Sequence, residues 1–145
     1  MDMPINVKSK EPNMAEENNK SINEKMAIER QKFIDNQPTD EEMVEKIITH
    51  LKEIYDPELP VNIYDLGLIY NIDVWTDEVS MMKKAKITMT LTSATCSFSQ
   101  VIIDLVKSIA ARQEGLEDID VEIVFDPPWG QDSMTDDAKL AMGLL

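Results

Sequence analysis

Cysteine, histidine and glycine are scarce in this chain, and each shortage closes off a class of chemistry. Among 145 residues there are one cysteine, Cys96, one histidine, His50, and four glycines. A single cysteine makes no intramolecular disulfide, so nothing points to an oxidising compartment. One histidine excludes the paired-histidine zinc motif His-Glu-x-x-His. Four glycines without a glycine-rich cluster leave no phosphate-cradling loop, so no nucleotide is expected. No apolar run approaches the roughly 18 residues of a membrane span. The N-terminal sequence lacks the charged-then-apolar pattern of a secretory signal, which makes a cytoplasmic location the expectation.

Basic side chains are also in short supply. Lys and Arg number 14 against 28 Asp and Glu, a formal net charge of −14. Phosphate backbones and anionic membrane surfaces are held by Lys and Arg, so neither nucleic acid nor a membrane is an expected partner. A metal cation, or a protein with a basic face, suits this balance better. Residues 1–40 hold 8 acidic and 6 basic side chains, a net of −2, which leaves 20 acidic and 8 basic, a net of −12, beyond them. The acidity therefore belongs to the later part of the chain.

What is present divides the chain in two. Residues 1–38, rich in Asn, Glu and Lys, read as a flexible or partly helical extension, with Ile22, Met26 and Phe33 too sparse for a firm amphipathic stripe. Residues 39–145 read as one domain. Thr39 with Glu42 three residues on makes a capping box, and Met43, Ile47, Leu51 and Ile54 predict a helix over 40–54. Asp56-Pro57-Glu58-Leu59-Pro60 is a stiff loop. Strands are predicted over 68–75, with Leu68, Tyr70, Ile72 and Val74 on one face, and around Ile87, Met89 and Leu91, paired as an antiparallel hairpin. A second amphipathic helix is expected over 98–112, a third strand over 119–125, and a short helix capped by Thr135 and running through Met142. The order α-β-β-α-β-α gives an α+β fold, a two-layer domain with a small three-stranded mixed sheet and helices on one face.

Within this frame Cys96 stands out. It lies in the small, hydroxyl-rich stretch Thr92 to Ser97, just before a helix, where unpaired N–H groups and the helix dipole favour a thiolate. A thiolate binds iron or attacks sulfur donors; a buried structural cysteine is the alternative. Asp56 and Glu58, two residues apart, offer oxygen ligands for a hard cation or an acid–base pair. Asp56 also suits an Asx turn before Pro57, and Glu58 a solvated surface position. His50 reads as a helix-surface or packed histidine, although a Cys96–His50 dyad is the least implausible enzymatic arrangement. Trp129, in the stiff Asp126-Pro127-Pro128-Trp129, would either anchor a partner or cover the core.

Three segments in order resemble one family. Asp56-Pro57-Glu58-Leu59-Pro60-Val61-Asn62-Ile63-Tyr64-Asp65-Leu66-Gly67-Leu68-Ile69-Tyr70 is similar to the opening signature of SufT-like metal–sulfur cluster assembly factors, relatives of PaaD-type proteins. Thr90-Leu91-Thr92-Ser93-Ala94-Thr95-Cys96 resembles their cysteine loop, and Phe125-Asp126-Pro127-Pro128-Trp129 with the residues that follow resembles their C-terminal end. The resemblance spans roughly residues 42–145. It implies an iron–sulfur cluster assembly factor of the SUF pathway, not a classical enzyme, with no residue assigned a catalytic role. Its reactive cysteine falls on Cys96 and its acidic loop residues on Asp56 and Glu58. In two respects the chain departs from the pattern: Ser97 stands where the family commonly has proline, and residues 1–40 have no counterpart in the family's short core.

One thiol sets the terms of that expectation. Clusters generally take four protein ligands, so a cluster or iron held here needs a second subunit, a partner or another donor. Transient carriage and delivery follow, with SUF-type assembly proteins and apo clients as partners and a homodimer as one way to complete the ligand set. Two rival readings remain: a metal-free adaptor recruiting clients through Trp129, and a sulfur-transfer protein with Cys96 as nucleophile.

Overall fold

The computed structural model describes residues 14–92 and 98–145, with side chains from residue 19 onward. The chain divides into two units, residues 1–37 and 38–145. In the first, helix α1 runs Met14–Asp35. Its described side chains are exposed, Ile22, Met26 and Phe33 among them.

The second unit begins with α2, Asp40–Leu51. Thr39 caps it, its hydroxyl accepting from the Glu42 N–H at 3.1 Å, and Asp40, Glu41 and Glu42 occupy the positive end of the helix dipole. Met43, Ile47 and Leu51 are fully buried at helical spacing. The helix closes before residue 54, because Glu53 and Ile54 bond back three residues, to the carbonyls of His50 and Leu51, and tighten the last turn. Ile54 is buried all the same.

Three strands follow: β1 Ile69–Thr76, β2 Lys83–Met89 and β3 Leu116–Ile123. They lie in the order β1-β2-β3, with β1 antiparallel and β3 parallel to the central strand, which makes the sheet mixed. Between β2 and β3 the chain crosses over through α3, Ser99–Lys107, and α4, Ile109–Arg112. The helix expected over 98–112 is thus divided at Ser108, whose hydroxyl donates to the Leu105 carbonyl at 2.6 Å. A turn of 3-10 helix at Gln131–Ser133 leads to α5, Asp136–Ala141, capped by the Thr135 hydroxyl.

The core sits on one face of the sheet. Ala85, Ile87 and Met89 of β2 pack with Met43, Ile47 and Leu51 of α2 and with Ile102, Val106 and Ile109 of the crossover. The opposite face carries Asn71, Asp73 and Trp75 beside Thr88, Lys86 and Lys84, and these beside Glu122, Asp120 and Asp118. Lys86 bridges to Glu122 at 3.0 Å there, an exposed pair that adds little to stability. The α+β architecture, with its three-stranded mixed sheet, is the one the periodicity predicts.

Two bulges alter which residues face the core. At Tyr70 the pairing slips between Ile69 and Asn71, so Ile69, not Tyr70, joins Ile72 and Val74 against the core. At Glu117 a similar slip lets Leu116 and Ile119 both point inward, and β3 starts three residues earlier than alternation predicts. Its far end stops at Ile123, and Phe125 is exposed.

Candidate functional site

One end of the sheet gathers the segments that the sequence singles out. Because β1 runs against β2 and β3 runs with it, the start of β1 and the ends of β2 and β3 lie together. The Thr90 N–H donates to the Leu68 carbonyl at 2.8 Å, and the Val124 N–H donates to the Met89 carbonyl at 2.8 Å. From the strand beyond the bulge, the Tyr70 hydroxyl donates to the Pro127 carbonyl at 2.7 Å. The peptide bond before Pro127 is cis.

The loop between α2 and β1 is held from within and from the C-terminal segment. The Asp56 side chain accepts at one oxygen from the N–H groups of Glu58, at 2.8 Å, and Leu59, at 3.1 Å. This is the Asx turn, which spares two donors that proline-framed backbone would leave unpaired. Asp56 is buried and Glu58 exposed. Farther along, Asn62 and Asp65 bond reciprocally, side chain to side chain and N–H to side chain, at 2.8 Å each. The Trp129 indole N–H donates to the Leu66 carbonyl at 2.6 Å, and the Thr135 N–H donates to the Asp65 carbonyl at 2.9 Å. Gly67, at φ +81°, lies against Ser133 so closely that a Cβ there would collide with the Ser133 backbone.

The sequence-derived candidates therefore fall in different places. Cys96 lies outside the described residues. Thr90 to Thr92 lead toward it from the end of β2, and Phe98 stands at the N-terminus of α3. Thr90 is buried, and its hydroxyl has no hydrogen-bond partner among the described residues. Asp56 acts on its own loop. Trp129 is half-buried, packs against the core and fastens the loop's last turn. His50 is elsewhere, its Nε2 paired with the Gln113 side-chain oxygen at 3.1 Å. Among the described residues, no three His, Cys, Asp or Glu side chains converge on a position for a metal ion. No described helix is long and apolar enough to cross a membrane.

Tyr70 is the site residue that sequence reasoning misplaced. Alternation put it on one face with Leu68, Ile72 and Val74, whereas past the bulge its hydroxyl reaches Pro127. Thr90 and the Asn62–Asp65 pair carried no signal beyond their place in the two motifs.

With three ordered segments meeting at one sheet end, comparison with known proteins becomes informative. A family model described as iron–sulfur cluster assembly protein matches residues 44–123. The chain belongs to that family. A Fe–S protein maturation auxiliary factor of Porphyromonas gingivalis is 40% identical over 101 residues, covering 70% of this chain and 91% of the relative. The auxiliary factor YitW of Bacillus subtilis is 40% identical over 105 residues, 72% of this chain and 98% of its own. The corresponding SufT of Staphylococcus aureus is 40% identical over 91 residues, 63% and 98% respectively. Among solved structures, a DUF59 domain from Bacillus anthracis superposes with a TM-score of 0.63 at 34% identity, covering 73% of this chain and 96% of that one. The likeness to that solved structure extends to the fold.

Proposed function

We propose that this protein is an auxiliary factor for iron–sulfur protein maturation that carries or delivers clusters to client proteins in a SUF-type system. The observation that carries the reading is the convergence at one end of the sheet. There the Asp56–Tyr70 segment, the Thr90–Thr92 lead into the cysteine segment and the Phe125–Trp129 segment are tied by the Leu68, Met89 and Pro127 hydrogen bonds. The names of the relatives, each a maturation auxiliary factor, support the same reading.

Cys96 supplies a soft thiolate to iron, the donor type that iron–sulfur chemistry selects. Of the two loop carboxylates, exposed Glu58 is the better candidate oxygen donor, since Asp56 has one oxygen committed to two backbone N–H groups. A single thiolate leaves the remaining cluster positions to a partner or a second copy, which suits temporary carriage. The role is one of holding and handing over, with no turnover step on this chain.

Anaerobic reconstitution of the full chain with ferrous iron and sulfide tests the reading. Wild type is expected to take up iron with thiolate-to-iron charge-transfer absorption and to activate an apo iron–sulfur enzyme, and Cys96→Ala to do neither. Equal iron content and equal activation by the two proteins would sink the role given to Cys96.

A further inference from the structure

The outer edge of β1 adjoins the site just described, and an interaction there does not require Cys96 to bind iron. We propose that the open edge of β1 is a docking site for an extended segment of a partner protein, with alternating aliphatic and basic side chains.

The backbone of β1 is half used. The Asp77 N–H donates to the Met82 carbonyl at 2.9 Å, and Asp73 and Trp75 face Lys86 and Lys84 in the same register. Bonding alternates residue by residue in an antiparallel ladder, so Asn71, Asp73 and Trp75 spend their N–H and C=O groups on β2. Ile72, Val74 and Thr76 turn theirs away from it. β1 is an outer strand, and among the described residues no backbone hydrogen bond reaches these outward groups.

Beside that edge runs a groove of about 290 Å³, lined by Val44 and Ile48 of α2, by Tyr64, and by Ile69, Tyr70, Asn71 and Ile72. The side chains of Ile72 and Val74 are only half-buried. An added strand would complete the ladder with its backbone and fill the groove with every second side chain, the usual form of strand addition. The two edges of the sheet differ here. β3 carries Glu117, Asp118, Asp120 and Glu122, all exposed, a charged edge of the kind that discourages pairing. β1 has Asp73 alone, with neither lysine nor proline to blunt it.

Charge specifies the occupant. The remaining side chains of an added strand would emerge on the face that holds Asp73, where a basic residue is the favourable neighbour. On α2, Glu41 and Glu45 are exposed, and helical spacing puts them one turn before Val44 and Ile48 of the groove. Lys52, at the far end, lies over the Tyr64 ring, 5.4 Å from its centre. A second copy of this chain carries the same −14 and has no basic residue on β1 to face Asp73, so it is the poorer fit.

Backbone NMR of the full-length chain tests this with a heptapeptide of alternating lysine and valine, capped at both ends. The expected result is slowed amide exchange at Ile72, Val74 and Thr76, with methyl shifts at Val44 and Ile48. A glutamate–valine peptide should bind about tenfold more weakly. Methylation of the peptide nitrogens that face β1 should abolish binding, and Asp73→Lys should invert the preference while the remaining spectrum is unchanged. Binding that survives N-methylation, or that maps to the β3 carboxylates, would overturn the proposal. So would concentration-dependent protection of β1 without peptide, which would give the edge to a second copy.

Discussion

Asp56 shows how one side chain separates two roles that a sequence leaves joined. An Asp before a proline is both a candidate ligand and a turn former, and the residue types alone do not choose. The structure places one carboxylate oxygen on two backbone donors, so the acceptor matters to the fold whatever the charge does elsewhere. Asn keeps that acceptor and Ala does not. Asp56→Asn is therefore expected to unfold in urea close to wild type, and Asp56→Ala to lose about 1–2 kcal/mol, the net worth of two part-buried hydrogen bonds. Urea midpoints for the three proteins check the ordering. Equal losses in both variants would mean that charge, not hydrogen bonding, holds the loop. Trp129 carries the same pair of readings, anchoring a partner and covering the core, and it is half-buried, with its indole N–H on the Leu66 carbonyl.

Elements with unbroken periods were legible, and the departures occur where the backbone slips. The capped start of α2 and the alternation of β2 could be read because Thr39, the buried Met43–Ile47–Leu51 series and the Ile87–Met89 pair obey one period throughout. The bulges at Tyr70 and Glu117 break period two without a glycine or proline to announce them, which misassigned Tyr70 and hid the first three residues of β3. The cysteine segment was legible as a motif, but its geometry does not follow from periodicity, since a loop has none. The turn between β1 and β2 supplies a prediction at this scale. The N–H of Ser80, with help from its side chain, from Lys84 and from the Val79 N–H, holds the Asp77 carboxyl below its usual range against a smaller opposing effect of desolvation. A carboxylate favoured in the folded state stabilises it above the unfolded pKa, roughly 3.9, and loses that contribution as pH falls through the lower folded value. Thermal unfolding of wild type and Asp77→Asn should differ most near neutral pH and converge in acid below the usual carboxylate range. A gap that stays constant down to strongly acidic solution would remove Asp77 from the pH response.

At the scale of the whole molecule, the excess of carboxylates outweighs any single pair. Beyond residue 40 there are 20 acidic and 8 basic side chains, so most carboxylates have no cation available to them. Lys83, Lys84, Lys86 and Arg112 are already engaged, with Asp40, Asp77, Glu122 and Glu53. Salt acts on both populations. It weakens the exposed or half-exposed pairs of Lys84, Lys86 and Arg112, each worth little, and acts less on the pair of buried Lys83 with Asp40. It also screens the repulsion among the unpaired carboxylates, which acts over longer distances. Raising ionic strength from about 0.01 M to 0.15 M shortens the Debye length from roughly 30 Å to 8 Å, less than the width of a small domain. Repulsion should lose more than attraction, so the melting temperature is expected to rise over that range in sodium chloride, and to rise equally in potassium chloride because screening does not distinguish the cations. A rise confined to one cation would instead reveal a specific site among the carboxylates. A fall in both would mean that the ion pairs, with buried Lys83 and Asp40 foremost, outweigh the repulsion.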